Sequence, residues 1–192
     1  MGKRRRKKDG KLHPLLSLLG VRKSSQRRRV REASRLLRQL SDDSLSDAYR
    51  FGIIRNADPF VVEEAILTAY KRAGHRIRRN RRYTGDGDID GFVRLNRKWH
   101  AIQAKRYRSA IRPNHVHDFA AVCSRRRVPG IFFHFGRTGP KSAEAFRVHS
   151  NIRRVSGQEA LDLFVSAGSK GWPASRRRAS RHSSRTGRIL LG

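Results

Sequence analysis

The sequence predicts an α/β domain built on a mixed central sheet flanked by helices. Apolar residues concentrate between about residues 50 and 168 of a 192-residue chain that is 36% hydrophobic, enough for one domain with a core. Within that stretch, segments with helical spacing interleave with short strand-like runs in the order α-β-β-β-α-β-α-β-α, the pattern of a sheet layered with helices. The flanks read differently. Residues 1–55 form a basic, partly helical extension, residues 56–168 the folded domain, and residues 169–192 a Ser/Arg/Gly-rich basic tail whose composition predicts disorder.

Each element has its own signal. In the N-terminal extension, "SSQRRRVREASRLLRQL" sets Val30, Ala33, Leu36, Leu37 and Leu40 at helical spacing against an arginine-rich face. "NADPFVVEEAILTAYKRAGH" predicts a helix capped by Asp58, with Pro59 in its first turn, running to about Arg72 and stopped by Gly74. "HRIRR" is a short strand. "DIDGFVRL" and "WHAIQAKR" are two strands joined at "NRKW", and "HVHDFAAVCSRRR" is a helix. "GIFFHFG" is a buried strand, "TGPKSAEAFRVH" a helix with Thr138 as its cap, and "NIRRV" a strand. "SGQEALDLFVSAG" carries a Ser156-x-x-Glu159 capping box and ends at Gly168.

Charge narrows the partner. Lys and Arg number 46 against 15 Asp and Glu, a formal charge of +31. Such a chain repels itself unless a polyanion neutralises it, and nucleic acid does so with release of counterions. An anionic membrane surface fits less well, because the charge is spread over both ends and the middle rather than along one amphipathic face. The longest apolar run, "VPGIFFHFG", is too short to span a bilayer. The basic start and short apolar patch of "MGKRRRKKDGKLHPLLSLLG" lack a small-residue cleavage site, so the expected location is cytoplasmic. Cys123 is the single cysteine, which excludes an intrachain disulfide and a four-cysteine zinc site; its apolar helical context makes it a core residue.

In a chain so poor in acid, Asp86, Asp88 and Asp90 at alternate positions require an explanation. "DGDIDG" matches the start of an EF-hand, but the twelfth position, which should be glutamate, is Arg97, and a strand-like alternation replaces the second helix. A metal site on a hairpin fits better. Pairing Asn96 with Trp99 makes Arg97 and Lys98 the turn, sets Val93 opposite Ile102 and sets Asp90 opposite Lys105. Gly91, Val93, Leu95, Ile102 and Ala104 then share an apolar face, and Asp90, Gln103 and Lys105 share the other. A carboxylate that can hold a divalent ion thus meets a lysine that can offset phosphate charge, as metal-assisted phosphodiester hydrolysis requires.

"GDGDIDGFV" followed by "HAIQAKRY" resembles the catalytic motif of Mrr-type restriction endonucleases, in the PD-(D/E)xK nuclease superfamily. The similarity extends through "FVVEEAILTAYKRAGH", "PGIFFHFGRTGPKSAEA" and "RVSGQEALDLF", and covers about residues 57–167. The resemblance implies a restriction-endonuclease-like core and a metal-dependent DNA endonuclease, with Mg2+ (or Mn2+) as cofactor and DNA as partner. It implies that Asp90 is the metal-binding aspartate, that Lys105 is the catalytic lysine, and that Gln103 stands at the metal where many members carry Glu or Asp. Asp88 departs from the family, which often has Gly there, and is read as a loop residue; Asp86 matches the family and is read as structural.

The first helix supplies a further acidic candidate. Glu63 shares a face with Leu67 and Tyr70, whereas Glu64 shares one with Thr68 and Lys71. An inward carboxylate needs a partner or a metal, so Glu63 is taken as catalytic, which also matches the family's helical acid; the plainer alternative is an ion pair with one of the many arginines. The basic runs Lys3, Arg4, Arg5, Arg6, Lys7, Lys8 and Arg176, Arg177, Arg178 are expected to hold the DNA backbone without reading sequence. His115-x-His117 lacks further zinc ligands and is read as a helix-start surface, while His100 and His134 are read as packed strand residues. Gly136, Thr138 and Gly139 lack the spacing of a Walker loop. Ser124 and Ser142 have no partner for nucleophilic catalysis.

Two alternatives stand beside restriction: a repair or recombination nuclease of the same fold, and a basic nucleic-acid-binding protein with a degenerate nuclease core. Cutting both strands would favour a homodimer.

Overall fold

The computed structural model describes residues 14–80, 89–106 and 109–169. Among these residues six helices and five strands follow in the order α1 (Pro14–Leu40), α2 (Asp47–Asn56), α3 (Pro59–Arg72), β1 (Arg76–Arg79), β2 (Gly91–Leu95), β3 (Lys98–Lys105), α4 (Pro113–Arg125), β4 (Gly130–His134), α5 (Pro140–Val148), β5 (Ile152–Ser156) and α6 (Gln158–Gly168). The strands lie side by side in chain order in one sheet. β1, β2 and β3 form an antiparallel meander, while β3, β4 and β5 run parallel through the crossovers α4 and α5. The sheet is mixed and helix-flanked, as the sequence predicts.

Two apolar layers sandwich the sheet. On one side Val93, Ile102, Ile131 and Phe133 pack against α1, α3 and α6. On the other Ala101, Phe132 and Ile152 pack against α4 and α5, with Cys123 buried among them. Burial pushes the Cys123 thiol up to about 11, so it remains a neutral core group. The stripe Ala33, Leu36, Leu37 and Leu40 of α1 is fully or almost fully buried, so the arginine-rich N-terminal helix completes the first layer. No helix among the described residues is long and apolar enough to cross a membrane.

Local chemistry explains most boundaries. Asp58 caps α3 by accepting from the Phe60 amide at 2.8 Å, Pro59 opens the helix, and Gly74 leaves it at φ +85°. α2, which the sequence reading did not pick out, is capped by Ser46. Two predicted caps are corrected. The N-cap of α5 is Gly139, with no side-chain hydrogen bond, because the Thr138 hydroxyl is hydrogen-bonded to His134 Nε2 at 3.0 Å. The N-cap of α6 is Gly157, at φ +56°, because Ser156 is still part of β5 and Glu159 pairs with Arg153 instead of folding back as a capping box.

The hairpin register is also corrected. Leu95 pairs with Lys98 and Gly91 with Ile102, which makes Asn96 and Arg97 the two-residue turn. Both turn residues have positive φ, +46° and +67°, the geometry of a type I′ turn that matches strand twist. The expected pairing of Asn96 with Trp99 is displaced by two residues. Because side chains alternate with a period of two, such a slip leaves every side chain on its predicted face.

Candidate active site

The candidate site forms where β3 outruns β2. β2 begins at Gly91, while β3 continues to Lys105. The Asp90 amide extends the ladder by donating to the Ile102 carbonyl at 2.8 Å. The next outward-facing amide of β3, that of Ala104, has no β2 residue to meet. Asp90 fills the gap: its Oδ2 accepts from the Ala104 N–H at 2.6 Å. Ile89, immediately before Asp90, is tied down as well. It is buried, and its carbonyl accepts from the Asn80 side-chain amide at 2.9 Å, just after β1. One carboxylate oxygen of Asp90 is therefore fixed on the backbone of the strand that carries Gln103 and Lys105.

Gln103 is only 1% exposed, and neither end of its side-chain amide has a hydrogen-bond partner among the described residues. A buried amide left unmatched costs about 1–3 kcal/mol for each group, so such a group calls for a ligand, a water or an ion. Lys105, two residues on, points to the same side of the strand and lines a cavity of about 450 Å³ together with Arg55, Pro59, Val62, Glu63, Ala104 and Arg106. Glu63 of α3 and Lys105 of β3 thus meet in one cleft, and Asp90 is joined to its wall through Ala104.

The physical ground for choosing Glu63 over its neighbour needs correcting. α3 is enclosed nearly all round, and Glu64 and Thr68 are each 6% exposed, so that face is not a solvated one. Glu64 is consumed internally. Its carboxylate accepts from Arg79 Nη2 at 2.6 Å and Nε at 2.9 Å, and from the Thr68 hydroxyl at 3.0 Å. Glu63, half-buried, is the carboxylate of α3 that faces the cleft.

Other candidates resolve differently. His134, on β4 beside Lys105, is 1% exposed and hydrogen-bonded to Thr138. Burial, aided by Arg154, pushes its imidazole down to about 4, so it is neutral at ordinary pH. His117 lies at the start of α4 with Nδ1 2.8 Å from His149 Nε2. Ser142 is buried and donates to the Ile111 carbonyl. Asp86, Asp88, Lys3–Lys8 and Arg176–Arg178 lie outside the described residues. The sequence reading did not single out Arg55 or Arg106. In a chain with 46 basic residues nothing local distinguishes them, and only the fold brings them to the cleft.

A five-stranded mixed sheet between two helical layers, with Asp just before its second strand, Gln and Lys on its third, and a glutamate on the preceding helix, defines a restriction-endonuclease-like α/β domain. The family model described as restriction endonuclease (Mrr_cat) matches residues 54–164, more than half of the chain, and the protein belongs to that family. The match begins at the end of α2 and closes in α6, spanning the whole sheet. No curated protein and no solved structure matches the chain.

Proposed function

We propose that this protein is a metal-dependent DNA endonuclease of the Mrr-like restriction type, with residues 56–168 as its catalytic unit. One observation carries the reading: the Asp90–Ala104 hydrogen bond ties a carboxylate to the strand bearing Gln103 and Lys105, at a cleft walled by Glu63. The donor set suits a hard divalent ion such as Mg2+ or Mn2+. It offers a carboxylate and an amide oxygen, and the amide of Gln103 has no partner among the described residues. No group of three or more His, Cys, Asp or Glu converges among the described residues.

Asp90 and Gln103 would hold the ion, which when bound stabilises charge on a phosphate and acidifies a water. The Lys105 ammonium offsets charge developing on the phosphate and orients the attacking water. Glu63, across the cleft, accepts a hydrogen bond from that water and limits its rotation. Replacing the usual acid by Gln103 removes one negative charge from the site. Cutting both strands of a duplex would call for two such sites, hence a homodimer, and the basic termini would grip the backbone.

Asp90→Ala and Lys105→Ala should each abolish cleavage while duplex binding in a gel-shift assay stays near wild type, because most of the basic surface is untouched. Wild-type cutting rates in both variants would remove the site assignment.

A further inference from the structure

Two arginines share the cleft with Glu63 and Lys105, and no catalytic role accounts for them. Arg55 lies in the last turn of α2. Its Nε donates to the Phe135 carbonyl at 3.2 Å, and its guanidinium carbon sits 5.6 Å above the Phe51 ring. Arg106 directly follows Lys105, and its Nη1 donates to the Arg55 carbonyl at 2.6 Å. Arg28, Arg50, Arg79, Arg147 and Arg153 are all matched to carboxylates. Arg55 and Arg106 are matched to none among the described residues; backbone carbonyls anchor them instead. Both are half-buried, and the Nε of Arg106 is buried without a partner.

A cation withdrawn from water without a counter-charge is costly, and an entering anion offsets that cost. Carbonyl anchoring settles what kind of anion fits. It fixes each guanidinium at one edge and leaves Nη1 and Nη2 of Arg55 as a planar fork, the geometry that grips phosphate oxygens in pairs. The lining also separates this role from catalysis: beside Lys105, which the proposed reaction uses, Arg55 and Arg106 add two further cations to the cleft.

We propose that Arg55 and Arg106 form a second phosphate subsite, which takes a non-scissile backbone phosphate of the strand lying over Lys105. The proposal rests on the nuclease reading only for the identity of the polyanion. The competing account is structural: Arg55 favours the C-terminal end of the α2 dipole, and Arg106 pins that end to β3.

The test uses the full chain and an unmodified duplex in EDTA, so that binding is read without cleavage. Arg55→Gln should weaken binding about tenfold and reduce the slope of log K against log salt by about 0.9, the value for one phosphate contact. Arg55→Lys should restore part of both. With Mg2+ present, the loss should appear in KM more than in kcat. Thermal midpoints of the same variants report the structural account. A lowered midpoint with unchanged affinity and slope would overturn the subsite, as would an unchanged slope in a fully folded variant. A wild-type protein that never cuts DNA, yet loses slope on Arg55→Gln, would sink the nuclease reading and leave the subsite standing.

Discussion

Glu63 and Glu64 sit one residue apart and should respond differently to the same substitution. Glu64→Gln breaks a buried, two-pronged pair with Arg79 and weakens the tie between α3 and β1. It should cost about 2–4 kcal/mol, near the low end for a broken buried pair because Arg79 keeps part of its side chain in water. Thermal unfolding should register this as a midpoint lower by about 2–4 °C for each kcal/mol. Glu63→Gln should leave that midpoint near wild type and slow cleavage. Reversed effects would mean that the roles of the two carboxylates have been exchanged. The periodicity of α3 placed Glu63 on an inward face, but it could not show that Glu64 is enclosed too. α1, α6 and the sheet all pack on this helix, whereas an amphipathic reading assumes one apolar face. The shared face of Asp90, Gln103 and Lys105 was legible because the register error was two residues, a full period of strand alternation. The hydrogen bond from Ala104 to Asp90 was not, because it depends on β3 extending past β2.

At the scale of elements, the five strands, the hairpin of β2 with β3 and the helices other than α2 follow from spacing and breakers in the sequence, whereas the pairing of the remaining strands does not. Nor does the hairpin register. Type I′ turns announce themselves by Asn-Gly, and here Arg97 occupies the second left-handed position, so the usual signal is missing. Caps failed where a side chain had a better partner: Thr138 serves buried His134, and Glu159 serves Arg153. The close contact of α1 with α6 was equally invisible. A Cβ at Gly168 would lie 1.9 Å from the Leu37 carbonyl oxygen and 2.8 Å from Ser41 Cβ, so the absence of a side chain lets the helices touch. Gly168→Ala should therefore destabilise the protein by about 1–3 kcal/mol through overpacking. Gly52→Ala, inside α2 with nothing within 4 Å of its added methyl, should stabilise by about 0.5–1 kcal/mol. Chemical denaturation of both variants checks the pair; a neutral Gly168→Ala would mean that α6 is not held against α1 as described.

Across the whole molecule, a charge of +31 favours a polyanionic partner, and on the proposed reading the two basic ends and the cleft would share its binding. Deleting residues 1–10 and 170–192 should weaken binding on unrelated duplexes alike and flatten the salt dependence by several units, at about 0.9 for each phosphate released. An unchanged slope would place the DNA path on the folded domain alone. The central claim, that Asp90, Gln103, Lys105 and Glu63 assemble a metal-dependent nuclease, is tested most directly by incubating the purified full chain with supercoiled plasmid in EDTA, Mg2+ or Mn2+. Nicked and linear products should form with either ion and be absent in EDTA. Intact plasmid in all three conditions, from a folded protein that binds the DNA, would contradict the account, and so would equal cutting with and without the metal.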